Sequence, residues 1–233
     1  MNLITPNQEV VEIFNSFWTE SPITNEIKLF EDKGKMDITS YIVQFKDYSK
    51  KDRTIRDTSD LSAFLSEINS VYHTRVKGIE KLVTKLNRIK VTTQEGLREI
   101  IKNQGFTLED FVNICKMSSG SYTYSFATKV FSFIDDETYP IIDSFVSTLL
   151  DNYIYEDKIP KSKWGDYSKY KENYLNFMKH YKLNISFKNV DKFLWTYCKI
   201  LADYWADMGV LHFEPVAFDT NTLKESIWDT STL

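Results

Sequence analysis

The stretch SSGSYTYSFATKVFSFIDDETYPIIDSFVSTLL, Ser118 to Leu150, decides how the chain folds. Ser118-Ser-Gly-Ser121 is a run of small residues that breaks one helical pattern before another begins. Tyr124 to Ile134 then places Phe126, Ala127, Val130, Phe131 and Phe133 at helical spacing, with Lys129 as its only cation. Asp135-Asp-Glu-Thr138 ends that segment. Pro140 holds Tyr139 in an extended conformation and directs the chain into a further helix whose apolar side is Val146, Leu149 and Leu150. Asp143 or Ser144 is the natural N-cap there, because a short polar side chain satisfies the open N–H groups of a first turn. Helix, small-residue turn, helix, carboxylate: this order sets the frame for the rest.

Working outward, the same periodicity recurs on both sides. Leu61, Phe64, Leu65, Ile68, Val71 and Tyr72 mark one helical face, and Val76, Ile79, Leu82, Val83, Leu86 and Ile89 mark the next. Asp60 or Ser59 is positioned to cap the first, and Thr92 or Thr93 to cap a helix ending before Gly105, a residue suited to the left-handed backbone that follows a helix. Thr107-Leu-Glu-Asp110 reads as a capping sequence opening Leu108 to Met117, with Leu108, Phe111, Val112 and Cys115 inward. Downstream, Tyr167, Tyr170, Lys171, Tyr174, Phe177, Met178 and Tyr181 form a strong helical stripe. Val190 to Trp205 forms the last long helix, ending near Gly209.

Residues 1–57 are less regular, with a short helical pattern from Val10 to Trp18, a possible strand from Ile38 to Phe45 and a polar connection from Asp47 to Asp57. The expected organisation is therefore an all-α protein: an irregular N-terminal portion over 1–57, a helical domain over 58–209, and a tail over 210–233 that docks on it. Seven glycines and five prolines in 233 residues suit a helical chain with short connections. No repeat interrupts it.

Composition narrows the chemistry. With 42% apolar and 15% aromatic residues the chain holds a sizeable core, and no apolar run approaches the roughly 20 residues that a membrane helix needs. No membrane partner is expected. The opening MNLITPNQEVVEIF lacks a basic segment followed by an apolar one, and Cys115 and Cys198 fall inside apolar helical patterns as free thiols, so a cytoplasmic setting is the expectation. Net charge is −4 but unevenly spread: Val71 to Gly105 carries eight Lys/Arg against three Glu, and Lys161 to Lys199 nine Lys against three acids, whereas Leu201 to Leu233 has six acids and one Lys. A basic middle suits a polyanion, while the acidic total argues against a dedicated nucleic-acid binder. Both readings stand at this point.

Three scattered histidines and two separated cysteines do not supply metal-ligand spacing, so no metal and no cofactor is expected. Phosphate-loop, dinucleotide and serine-hydrolase signatures are absent from the sequence. The small-residue turn has two readings, an ordinary helix connection or a set of outward N–H groups that receives a phosphate. Asp143 likewise has two, a helix cap or a catalytic carboxylate.

Taken together, Ser118 to Ser121, the helix Ser125-Phe-Ala-Thr-Lys-Val-Phe-Ser-Phe133 and Tyr139-Pro-Ile-Ile-Asp143-Ser-Phe-Val146 resemble the helix-hairpin-helix DNA glycosylase superfamily. Val190-Asp-Lys-Phe-Leu-Trp-Thr196 looks like the terminal helix of divergent bacterial members. The resemblance implies a helical fold, DNA contact at Ser119, Gly120, Ser121 and Lys129, and Asp143 as the carboxylate that assists loss of a modified base from its sugar. It implies a monofunctional enzyme, because counting back from Asp143 to the place of the lysine used by strand-cleaving relatives arrives near Tyr124 rather than at Lys129. The alternative is a non-catalytic helical scaffold that binds a protein partner or nucleic acid.

Overall fold

The computed structural model describes residues 50–120, 123–143 and 167–180, together with 146, 147, 150, 183, 186–192, 194 and 195. Every regular element among them is a helix: α1 (50–56), α2 (Leu61–Val71), α3 (Ile79–Arg88), α4 (Gln94–Asn103), α5 (Leu108–Ser119), α6 (Tyr124–Ile134), α7 (Tyr167–His180) and α8 (187–192). The described residues fall into two compact units, one ending at Ile142 and the other beginning at Asp143. That division lies inside the single domain expected over 58–209. The helix and strand expected within residues 1–57, the C-terminal tail and Cys198 lie outside the described residues.

Capping chemistry places the helix starts of the first unit. Asp60 accepts the Ala63 N–H at 2.8 Å to open α2, and Thr93 accepts the Gly96 N–H at 3.0 Å to open α4. The two caps pair with each other as an isolated bridge, and the Gln94 N–H donates to the Ser59 carbonyl at 3.0 Å, so both helix starts are tied at one point. α5 opens with a full capping box. Thr107 Oγ1 accepts the Asp110 N–H at 3.1 Å while Asp110 Oδ2 accepts the Thr107 N–H at 2.8 Å.

One expectation is corrected here. The polar stretch Asp47 to Asp57 is helical over 50–56, because Ile55 is buried and Arg56 forms an ion pair with Asp136 at 2.6 Å while its guanidinium lies 5.8 Å from the Phe133 ring centre. A single apolar residue gives no periodicity to read. Tertiary docking supplies what the sequence pattern lacks.

The core of this unit is aromatic and centres on α6. Phe133 meets Phe64 and Tyr72 edge to face at 6.1 and 5.9 Å, and Phe131 meets Phe111 at 5.8 Å. From Phe126 to Ile134 every residue of α6 is buried, so the helix is wrapped on all sides rather than amphipathic. Each fully buried phenylalanine contributes roughly 1.5–3 kcal/mol of apolar burial. α6 is the axle of the unit, which fixes where its polar side chains can go.

The second unit is built on α7. Tyr170, Tyr174 and Phe177 are buried along one stripe, and Tyr174 packs on Phe187 of α8 edge to face at 5.5 Å. The expected stripe and the observed one agree over these residues.

Candidate functional site

α5 ends where the small residues begin. Gly120 takes the left-handed backbone, φ 79°, and its N–H donates to the Lys116 carbonyl at 2.8 Å. A methyl group at Gly120 would meet open space, so the turn is accessible from outside. The neighbouring hydroxyls point the other way: Ser118 Oγ donates to the Ile114 carbonyl at 2.8 Å and Ser119 Oγ to the Cys115 carbonyl at 2.9 Å. Ser121 lies outside the described residues. The Gly120 N–H and the Ser118 and Ser119 hydroxyls are therefore engaged with carbonyls of α5.

Lys129 is 4% exposed. Its ammonium donates to Ser125 Oγ at 2.8 Å and sits 5.8 Å from the Tyr72 ring centre, and the Tyr72 hydroxyl in turn donates to the buried Asp52 carboxylate. Among the described residues no carboxylate pairs with Lys129. Ser125 is half-buried on the first turn of α6.

The approach to Asp143 is held at two points. Asp135 Oδ1 accepts the Glu137 and Thr138 N–H groups at 3.3 and 3.1 Å to form the turn after α6, and the Tyr139 ring packs edge to face on Phe131 at 5.0 Å. Thr128 Oγ1, itself bonded to the Tyr124 carbonyl at 2.9 Å, accepts the Ile142 N–H at 3.0 Å. Pro140, Ile141 and Ile142 are buried, so the segment is packed rather than loose.

Asp143 itself is half-buried and opens a helical turn through its main chain. Its carbonyl accepts the Ser147 N–H at 2.8 Å and the Ser147 hydroxyl at 2.6 Å. Burial pushes the Tyr170 and Tyr174 phenols well above their usual range, and the neighbouring Asp191 carboxylate, with Asp143 behind it, adds to that rise. Asp191 is 7% exposed. The Tyr174 hydroxyl is buried without a hydrogen-bond partner, and the Tyr167, Tyr170, Tyr174 and Phe187 rings follow one another at 6.4, 5.6 and 5.5 Å.

Tyr170 and Tyr174 are fully buried, so the Asp191 and Asp143 carboxylates act on phenols inside the core of this unit. Asp143 was singled out from the sequence; Asp191 and the two buried tyrosines were read as helix and core. Their signal was present in the four-residue spacing of Tyr170 and Tyr174 and in Val190-Asp191, but spacing alone does not place an acid next to a phenol.

Among the described residues no group of three His, Cys, Asp or Glu is arranged to hold a metal ion, and no helix is long and apolar enough to cross a membrane. Neither the protein-family models, nor the curated proteins, nor the solved structures contain a match to this chain.

Proposed function

We propose that the protein binds DNA in the manner of the helix-hairpin-helix glycosylases and excises a modified base by hydrolysing its N-glycosidic bond. The observation that carries this reading is Asp143: half-buried, and close enough to the phenols of Tyr170 and Tyr174, with Asp191, to act on their ionisation. As the bond to the base breaks, the sugar gains oxocarbenium character. Asp143 stabilises that charge and orients the attacking water. The base leaves the stack before reaction, since its sugar is otherwise out of reach.

DNA contact falls to the other unit. The turn at Ser119, Gly120 and Ser121 lies against the DNA backbone, its Gly120 N–H already held by the Lys116 carbonyl, and Lys129 adds positive charge behind the Ser125 hydroxyl. The test is release of free base from duplexes carrying single damaged bases. Wild type releases base and Asp143→Asn does not; equal release by the two proteins removes Asp143 from the mechanism.

A second reading draws on the same turn. The back-bonded hydroxyls of Ser118 and Ser119 and the burial of Lys129 favour a scaffold that binds nucleic acid or a protein partner without cleaving a glycosidic bond. DNA binding with no base release from any damaged duplex selects it.

A further inference from the structure

Three non-glycine residues among those described have a positive φ: His73 at 49°, Arg75 at 57° and Lys90 at 64°. All three flank α3, and two of them are permanent cations. Left-handed backbone is unfavourable for any residue with a Cβ, and it persists where surrounding bonds hold it. Asn69 supplies those bonds before α3, its Oδ1 accepting the Thr74 hydroxyl at 2.7 Å and the Val76 N–H at 2.9 Å while its amide donates to the Val76 carbonyl at 3.0 Å. After α3, the Val91 N–H returns to the Leu86 carbonyl at 3.0 Å and the Lys90 N–H to the Asn87 carbonyl at 2.9 Å. That is the bonding pattern in which glycine is usual at the position Lys90 occupies. The chain keeps a cation where a glycine would relieve strain.

Between these two points α3 carries Lys81 and Lys85 one turn apart, and Lys77 lies just before the helix, next to its Gly78 N-cap. Lys77 and Lys81 are exposed and Lys85 half-buried, and among the described residues none of the three is in an ion pair. Glu80 is the only acid from Arg75 to Lys90. The ridge also has a fixed neighbour. Gly78 is so close to the end of α5 that a Cβ there would lie 3.1 Å from the Ser118 carbonyl oxygen, which sets Lys77 and Lys81 beside the accessible Ser119–Gly120 turn.

We propose that this ridge, with the adjoining turn, is the surface that tracks the phosphate backbone of duplex DNA. The inference rests on the DNA-binding reading above and adds to it the residues that set affinity. Closely spaced lysines suit a polyanion carrying a charge every 1.7 Å or so of its axis, and they make contacts that do not depend on base sequence.

The test is binding of the full chain to a short labelled duplex of mixed sequence over a range of salt concentrations, for wild type, the triple variant Lys77→Gln/Lys81→Gln/Lys85→Gln, and the triple Lys→Arg variant. Three lost phosphate contacts make the slope of log affinity against log salt shallower by about 2.7 in the Gln variant, while the Arg variant keeps the wild-type slope. Circular dichroism and thermal melting confirm that the variants fold. If wild type binds and the Gln variant matches its slope, the ridge is overturned and the DNA-binding reading stands. If wild type binds no duplex even at low salt, both are overturned. Competition by poly-glutamate as effective as by unlabelled duplex overturns the ridge as a DNA surface in favour of an acidic protein partner.

Discussion

Lys129 Nζ donates to Ser125 Oγ at 2.8 Å, one turn earlier on the same helix, and the lysine side chain is almost wholly enclosed. An ammonium held by a hydroxyl and an aromatic face, without a paired carboxylate among the described residues, adds little to folding stability for the desolvation it requires.

The first prediction follows from that relationship. Lys129→Met keeps the volume and removes the buried charge, so stability is unchanged or rises by about 1 kcal/mol in urea unfolding. Ser125→Ala leaves the ammonium without its hydroxyl and lowers stability by about 1–3 kcal/mol. A Lys129→Met variant less stable than Ser125→Ala would show that the charge has a stabilising partner. DNA affinity of the Met variant then reports whether the charge matters for binding.

Backbone strain gives the second prediction. Lys90→Gly relieves a left-handed backbone at a position already bonded as a helix stop, and raises stability by roughly 1 kcal/mol. Gly78→Ala has the opposite sign, since φ is 75° and the new methyl meets the Ser118 carbonyl, a backbone atom that cannot swing aside. Chemical denaturation of the two single variants reads both; a destabilised Lys90→Gly would mean that the lysine side chain contributes more than the strain it causes.

The third concerns alkaline pH. Burial pushes the Cys115 thiol up to about 12 from an ordinary 9.0, opposed by the nearby Thr123 hydroxyl. The thiol's folded value lies above its unfolded one, so its contribution is fully present below pH 9.0 and is lost as pH rises from there towards about 12. Tyr170 and Tyr174 act in the same direction above the ordinary tyrosine range. Thermal midpoints measured from pH 7 upward (an ordinary working range) therefore fall progressively once about pH 9 is passed, and Cys115→Ala flattens the early part of the fall. Thiol reagents at neutral pH modify Cys115 only on unfolding.

A fourth isolates the phenol row. Tyr174→Phe removes a buried hydroxyl that has no hydrogen-bond partner and is neutral or stabilising by up to about 1 kcal/mol. Asp191→Asn removes the carboxylate that most raises both phenols after burial, so tyrosinate absorbance appears at lower pH in this variant than in wild type. An unchanged tyrosine titration would mean that Asp191 does not face the rings.

The helices that position these groups were legible because their signals are local. Asp60, Thr93 and the Thr107–Asp110 box act within one turn, and the stripes along α2, α6 and α7 recur at the spacing a helix imposes. The helix over 50–56 was not legible, because Ile55 and the Arg56–Asp136 pair act across 80 residues of chain.

Sequence by itself determined the helices of the described residues from Leu61 to Ile134, the left-handed glycine at Gly105, and the arrival of Asp143 behind Pro140. Only the tertiary structure decided that Lys129 is enclosed above Ser125 and that Tyr170, Tyr174 and Asp191 are buried. Helix starts and stops are set by bonds between neighbours along the chain. Burial and charge proximity are set by which distant faces pack together, and a charged residue reads the same in a sequence whether it ends in water or beneath an aromatic ring.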